Sequence, residues 1–399
     1  MPQLLSRLDA VFIGLAAMLG AGVFVVFGPA FALSGNWIVL AISLAALVAY
    51  LNAMSIAQLA SVVTRSGGTY AYGRHYLGKS WGALAGLAFL VGKIGSAAAI
   101  ALTFANYIWP ENAISIAIAS VFVMTGINLA GVNRTALGSK ILASITIGFL
   151  LATIIFSLTL PSEPNGGNFP VDPVGVFTAA SLFFFAFAGY ARVATLGSEV
   201  RDSSKNVPAA IRISLVLVFA IYLSIGILLP QKLSSSLAAS VTPIADIYEK
   251  FGNFGGVWIF AAIATLGSLL ALMAGMGRTA ATMSEDGELP GAFNQKLKNG
   301  APWAAELSIA LVVVVLILSG DQLMSIGLSS FCILLYYAIA NLAAFRQPKA
   351  QTSRPKWLNL AGMVLSLAVG LAVPVAGLVL GTVVLTALMI LRWGLAKLR

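Results

Sequence analysis

The sequence predicts an all-α membrane protein whose chain crosses the bilayer many times. Of its 399 residues, 59% are hydrophobic and only 9% are charged, and the mean hydropathy is +0.96. Apolar runs recur along the chain, most of them close to the ~20 residues that a helix needs to cross the hydrocarbon core. Membrane β-barrels would show alternating segments of about ten residues instead.

Polar residues, glycines and prolines divide the apolar sequence into twelve predicted spans. They cover residues 8–34, 37–63, 80–109, 112–130, 138–160, 173–198, 209–230, 255–283, 303–319, 322–345, 358–373 and 375–393. Only Pro374 separates the last two spans, which are short. The intervening segments are too short for a soluble domain. An amphipathic pattern in 231–254 predicts a small external helix, and tyrosines 70, 72 and 76 are expected to anchor a short internal helix at the interface.

Lys and Arg residues predict the orientation of the chain. Of the 23 in the sequence, only Lys232 and Lys250 lie on one side of the predicted bilayer. Lys93 and Arg192 lie within spans, and all the others are on the opposite side, which the positive-inside rule makes cytoplasmic. We therefore expect a multi-pass protein of the inner (cytoplasmic) cell membrane with both termini in the cytoplasm. The net charge of +10 is an orientation signal, so no nucleic-acid partner is expected.

The composition also argues against cofactor chemistry. The single cysteine, Cys332, and the single histidine, His75, exclude a disulfide framework and a cysteine- or histidine-rich metal site. No cofactor is expected. The N-terminus has no small-residue cleavage site and leads into a full-length span, so it is predicted to be retained.

Two predicted spans contain a glycine break near their middle. The first contains "MLGAGVFVVFGP", with Gly20 and Gly22, and the sixth contains "FFFAFAGYAR", with Gly189. Small residues in spans often serve close helix packing. A matching break five spans later instead indicates an inverted repeat of five plus five helices, in which the first helix of each repeat is discontinuous. The predicted core is then residues 1–345, with repeats at about 8–160 and 173–345, followed by two C-terminal helices in 346–399.

A helix break at membrane depth has a chemical consequence. Lipid cannot satisfy the freed backbone groups, so they must line a cavity. Freed N–H groups suit a carboxylate, and freed carbonyls suit an ammonium group. A zwitterionic amino acid carries both.

Five sequence segments resemble motifs of the amino acid–polyamine–organocation family of secondary transporters, whose fold is of the LeuT type. They are "LGAGVF", "SGGTYAYGRHYLGKSWGALAG", "NLAGVNRTA", "FFAFAGYARVATLGSEVRDSSKNVPAAI" and "SEDGELP", in the family's order. The likeness extends through residue 345.

The resemblance implies roles for individual residues. Backbone N–H groups of Gly20, Ala21 and Gly22 would bind the substrate carboxylate, and carbonyls of Met18 and Leu19 would face its ammonium. The sixth span would contribute Phe185, Ala186 and Gly189, with Phe185 as an aromatic gate. The third span would complete the site with Ile94, Ala97 and Ala98.

Two positions depart from the family pattern. Where many members carry an acid after the glycine–aromatic pair of the sixth span, this chain has Ala191, followed by Arg192. That loss argues against cationic substrates. Thr146 stands where some members carry a coupling lysine, so Lys93 and Thr146 are the candidates for ion coupling.

Lys93 and Arg192 each admit a structural alternative. Charges at membrane depth usually have a function, and Lys93 is interpreted as a proton carrier, a substitute for sodium or a contact to an acidic substrate. It could equally bond the carbonyls of a broken helix. Arg192 stays protonated, so we interpret it as part of a gate or packing salt bridge.

The sequence thus predicts a secondary active amino-acid transporter that works by alternating access. The expected cargo is a neutral, apolar L-amino acid, moved by proton symport or by exchange. Alternatives are export, or sodium-coupled transport of another small amine. A channel-like pore would need polar stripes along several spans, and these spans are too apolar for that. An enzyme would need a catalytic constellation within the spans, which the sequence does not offer.

Overall fold

The computed structural model describes residues 5–63, 67–131, 136–163, 172–194, 200–252, 255–352 and 354–397, and its regular elements are helices. In chain order they are α1 (Arg7–Met18), α2 (Gly22–Val25), α3 (Phe27–Ser34), α4 (Ile38–Ala60), α5 (Thr69–Tyr76), α6 (Lys79–Ile108), α7 (Ala113–Leu129), α8 (Ala136–Thr159), α9 (Pro173–Phe187), α10 (Ala191–Ala194), α11 (Ser203–Leu233), α12 (Ser236–Ala239), α13 (Pro243–Phe251), α14 (Val257–Glu285), α15 (Trp303–Ile317), α16 (Gln322–Arg346), α17 (Lys356–Leu371) and α18 (Val375–Lys397).

Ten helical segments in the described chain are long and apolar enough to cross a membrane, which confirms a polytopic membrane protein. Two further apolar helices are shorter: α15 has 15 residues and α17 has 16. Because a perpendicular span needs ~20 residues, the count of twelve stays a prediction. Pro374 does separate α17 from α18, as its missing N–H predicts.

The first and sixth predicted spans are interrupted, as their glycines predict. The helical hydrogen-bond pattern of the first is interrupted at Leu19–Ala21, between α1 and α2. The sixth tightens into a 3-10 turn at Ala188–Tyr190, between α9 and α10. The stretch 195–199, which includes Glu199, lies outside the described residues.

Short helices occupy two segments between the spans. The predicted external helix of 231–254 is present as α12 and α13. The predicted interfacial role of the α5 tyrosines is wrong for Tyr70 and Tyr72, because α5 packs on α6 and leaves them 1% and 4% exposed. Tyr70 donates a 2.7 Å hydrogen bond to Asp286, and burial raises the pKa of both hydroxyls.

Buried amide and hydroxyl side chains tie α17 to α4 and α16. The Asn341 Nδ2 group donates to Asn52 Oδ1 at 2.7 Å, and Ser55 Oγ donates to Asn341 Oδ1 at 2.7 Å. Ser366 on α17 donates to the same Asn52 oxygen at 2.9 Å. All four side chains are fully buried, so each depends on the others for its hydrogen bonds.

Replacing Asn341 should therefore destabilise the fold. In Asn341→Ala, Asn52 and Ser55 lose a buried partner, and each such loss costs about 1–3 kcal/mol. We expect a clearly lower melting temperature in detergent micelles. Asn112→Ala, at an exposed position, is the control and should melt like the wild type. Equal melting of both variants would show that the polar cluster does not stabilise the fold.

Candidate functional site

The two helix breaks lie directly against each other. A methyl group on Gly189 would overlap the Ala17 carbonyl and lie 2.7 Å from the Met18 nitrogen. A methyl group on Gly22 would lie 2.5 Å from the Ala186 Cα atom. Only glycine permits so close an approach of one backbone to another. The structure therefore brings together Met18, Gly22, Ala186 and Gly189, four of the predicted site residues.

Tyr222, on α11, links the two breaks. Its hydroxyl donates to the Met18 carbonyl at 2.6 Å and lies 3.3 Å from the Ala186 carbonyl. Its ring meets those of Phe187 and Phe27 edge to face. Sequence reasoning missed this residue. The available signal was a single phenol within the apolar run "VFAIYLSIGILL", because a polar group at membrane depth needs a partner.

Backbone donors in the first break are unpaired. Leu19 N–H is the last to bond back into α1, at 2.8 Å to Leu15, and Phe24 N–H bonds to Ala21 at 3.0 Å. Between them, the N–H groups of Gly20, Ala21, Gly22 and Val23 have no acceptor in the described part of the chain. All four residues are buried. An unpaired buried amide costs about 1–3 kcal/mol, so this backbone requires a ligand or water.

A small cavity adjoins the same break, between α1, α8 and α14. Its volume is about 10 Å³, close to that of one bound water, and Leu19, Thr146 and Ser268 are among its lining residues. The Ser268 hydroxyl is buried and has no hydrogen-bond partner among the described residues. Gly20 packs against this serine, since an added methyl would lie 3.1 Å from Ser268 Cβ. Leu19 and Thr146, which the sequence predicted as site residues, therefore line the same cavity. Ser268, which the sequence did not predict, lines it as well.

The face of α6 that carries Lys93 runs towards α14 and α2. Gly86, seven residues earlier, approaches Met283 of α14, and Tyr107, fourteen residues later, donates to the Phe24 carbonyl at 2.8 Å. Steps of seven residues keep to one helix face. Lys93 is mostly buried and has no polar partner among the residues that the structure describes.

The other predicted α6 residues divide between helix faces. Ala97 is buried and lies one turn after Lys93, on its face. Ile94 and Ala98 are turned roughly 100° or more away from Lys93 around the helix, and their place in the site remains a prediction.

Phe185 and Arg192, the predicted gate residues, lie on either side of the second break. Phe185 is partly buried in the last turn of α9. The neighbouring rings of Phe183, Phe184 and Phe187 all have aromatic partners, whereas the described residues give Phe185 none. Arg192 is exposed on α10.

Contacts on both sides of the breaks close the site. On the side that carries the N-terminus, which we call the basic side, Asp9 of α1 pairs with Lys140 of α8, and Arg7 donates to Asn206 at 2.9 Å. On the opposite side, the ring of Phe149 stacks with Phe24 at 6.3 Å and Phe260 at 4.3 Å. It also stacks with Tyr248 of α13, at 6.0 Å.

The close approach at Gly189 can be tested by one added methyl. Gly189→Ala should lower the melting temperature, because the methyl collides with backbone that cannot rotate away and overpacking costs about 1–3 kcal/mol. Gly275→Ala on α14, where nothing lies within 4 Å of the added carbon, is the matched control. We expect the control to melt at or above the wild-type temperature. A Gly189→Ala variant as stable as the control would contradict this packing.

Comparison with known proteins shows which family the chain belongs to. The sequence matches the amino acid permease family over residues 9–395. It is 39% identical to an uncharacterized transporter of Mycobacterium tuberculosis, over 96% of this chain and 88% of the relative.

More distant relatives have more specific names. The serine/threonine exchanger SteT of Bacillus subtilis is 27% identical over 86% of this chain and 82% of its own. Cationic amino acid transporter 7 of Arabidopsis thaliana is 25% identical over 92% of this chain and 69% of its own. The chain is therefore an amino acid transporter of the cell membrane and a member of the amino acid permease family.

Proposed function

We propose that the protein is a secondary active transporter of neutral, apolar L-amino acids and that its substrate binds between the two helix breaks. The observation that carries the proposal is the run of unpaired N–H groups from Gly20 to Val23, which includes the three predicted at Gly20, Ala21 and Gly22. Adjacent amide donors at a helix start favour a carboxylate. The carbonyls of Met18 and Leu19, at the end of α1, would accept from the ammonium group.

The site's charge favours a neutral cargo. Ala191 occupies the position where an acid would suit a cationic side chain, and α9 and α10 contain no Asp or Glu. The one acid of α1, Asp9, is paired with Lys140. Although one group of relatives is named for cationic amino acids, an uncompensated cation here would cost several kcal/mol. Phe185, Ala97 and Ala186 would then surround an apolar side chain, with Ile94 and Ala98 further out on α6.

We further propose twelve spans arranged as two inverted repeats. Residues 8–160 and 173–345 form the repeats within a core of residues 1–345, and 346–399 form the C-terminal pair. The two short helices, α15 and α17, would be added to the ten long segments to give twelve spans. The basic side is then cytoplasmic and holds both termini.

In alternating access, the contacts on one side of the helix breaks would open while those on the other side stay closed. Inward opening separates Asp9 from Lys140 and Arg7 from Asn206, and outward opening separates the rings around Phe149. Phe185 would close over the bound substrate from outside, and Arg192 would contribute to the gate. Exchange, export and uptake can all use this one site. A channel-like pore would differ, because the contacts on both sides of the breaks would open together.

We propose a proton as the coupling ion, with Lys93 as its carrier. The lysine has no protein partner in the described chain and shares a face of α6 with Ala97. The alternative is sodium at the small cavity, where the hydroxyls of Thr146 and Ser268 and the Leu19 carbonyl offer neutral oxygen ligands. Thr146 already donates its proton to Leu142, which leaves its lone pairs available.

Transport in proteoliposomes tests the proposed function. Uptake of each labelled amino acid should be highest for neutral, apolar side chains and should increase with an inward proton gradient but not with a sodium gradient. Gly189→Ala should lose at least tenfold in flux, while Gly275→Ala retains it. Flux of no amino acid, or flux only of lysine and arginine, would overturn the proposed cargo.

Lys93→Met tests the coupling role. We expect proton-driven uptake to fall at least tenfold and the pH dependence to flatten, while exchange of internal for external substrate persists. Lys79→Met, at the exposed start of the same helix, should keep the wild-type pH profile. An unchanged profile in Lys93→Met would remove it as the proton carrier, and sodium stimulation would favour the cavity at Thr146.

A further inference from the structure

Glu306, in the first turn of α15, is a buried acid that lies away from the helix breaks. The residue is 3% exposed, and neither carboxyl oxygen has a hydrogen-bond or ion-pair partner among the described residues. The other acidic side chains that the structure describes are exposed or bonded to a neighbour. Glu306 is therefore exceptional in combining burial with the lack of a partner in the described chain.

A glycine on the facing helix makes room for this carboxyl. A methyl group on Gly277 of α14 would lie 2.7 Å from Glu306 Cγ and 3.1 Å from Glu306 Oε1. The acid therefore lies across backbone that carries no side chain, inside the contact between α14 and α15. Glycine permits so close an approach.

The charged residues on the helices around Glu306 do not pair with it. The helix α7 and the 3-10 turn Gly291–Asn294, which both pack on α15, contain no charged residue. The charged residues of α6 are Lys79, at its exposed start, and Lys93. On α14, Arg278 attracts the carboxylate electrostatically, but it is exposed and forms no ion pair with it among the described residues.

The last charged residue of α14, Glu285, is exposed and pairs with Lys296 at 3.1 Å. It therefore offers Glu306 no positive charge.

This environment favours the protonated acid. Burial without a partner disfavours a charged carboxylate. The N–H groups at the start of a helix favour an ionised acid, but the oxygens of Glu306 make no hydrogen bond to those of α15 in the described structure. Loss of the proton would favour hydration of the carboxylate, and water can reach it only if α15 moves away from α14. Trp303, three residues earlier and ~4.5 Å along the axis, is exposed where α15 begins at the basic side.

The helix α14 connects this acid to the first helix break. Ser268 lines the small cavity at that break and packs against Gly20. Gly277 follows Ser268 by nine residues, or about two and a half turns, which places the two on opposite faces of α14. A shift of α14 relative to α15 therefore moves Ser268 relative to the break.

We propose that Glu306 is a proton-binding site through which the pH of the basic side regulates transport. With its proton, the acid allows α15 to pack on α14, and Ser268 stays against the first break. Without it, α15 separates from α14, the break loses this support, and transport slows as the basic side becomes alkaline. The regulation of transport rests on the proposed function, whereas the proton-binding site does not.

Melting of the purified protein at different pH values tests the proton-binding site. The acid ionises when the protein unfolds, so the wild type should become less stable as the pH rises, whereas Glu306→Gln has no proton to lose. Between about pH 5 and pH 8, the wild type should lose roughly 3 °C relative to Glu306→Gln. Glu285→Gln, which removes an exposed acid of α14, is the matched control and should follow the wild type.

Exchange of labelled amino acid in proteoliposomes, with equal pH on both sides, tests the regulation of transport. Glu306→Gln should exchange as fast as the wild type near pH 6 and roughly fivefold faster near pH 8.5, where the wild-type acid ionises. Glu285→Gln should exchange like the wild type at both pH values. The comparison at two pH values separates titration from a constant loss of activity.

Parallel melting of the wild type and Glu306→Gln across the pH range would overturn the proton-binding site. Stabilisation of the alkaline wild type by sodium, absent in Glu306→Gln, would show that the carboxylate binds a metal cation instead. Equal pH dependence of exchange in the two proteins would overturn the regulation of transport. Exchange of no amino acid by the wild type would refute the proposed function, while the melting comparison would still decide the proton-binding site.

Discussion

The need to satisfy every backbone polar group at membrane depth dominates this structure. A continuous helix meets that need internally, and a broken helix does not. Here the two broken helices face each other, so one side chain can reach freed carbonyl groups of both. Tyr222 caps the Met18 carbonyl and reaches towards Ala186. Among the described residues, a short run of amide donors from Gly20 to Val23 remains unpaired, and such donors would favour an anionic group.

Glycine makes this contact geometrically possible. Gly22 and Gly189 let backbone meet backbone where any side chain would separate the breaks. The same contact leaves little free space beside the first break, where the small cavity is about the size of one water. The proposed binding of a substrate there would therefore require movement of α1 or α10. The contacts on the two sides of the breaks are compatible with such movement. A few polar contacts hold α1 on one side, and stacked rings surround Phe149 on the other.

Charged and polar groups divide the molecule into parts with different tasks. Buried amides and hydroxyls around Asn341 join α4, α16 and α17 without charge, which suits a region that need not open. Ion pairs occur at the ends of helices, where water lowers the cost of separating them. Lys93 differs from both groups, because it lies within α6 on the face that runs between α14 and α2 and has no protein partner in the described residues.

The sequence by itself determined the membrane class, most of the helix positions, the two breaks and the family, because these depend on apolar length, glycine placement and short motifs. It also located the backbone amides that the structure leaves unpaired in the first break, since a break frees its own amides. Only the tertiary structure identified Tyr222, which bonds to Met18 across 204 residues of chain, and Ser268, which packs against Gly20 from a distant helix. The burial of Tyr70 and Tyr72, the faces of α6 and the burial of Glu306 likewise depend on how helices pack, and a linear pattern of apolar residues does not specify which neighbour each face meets.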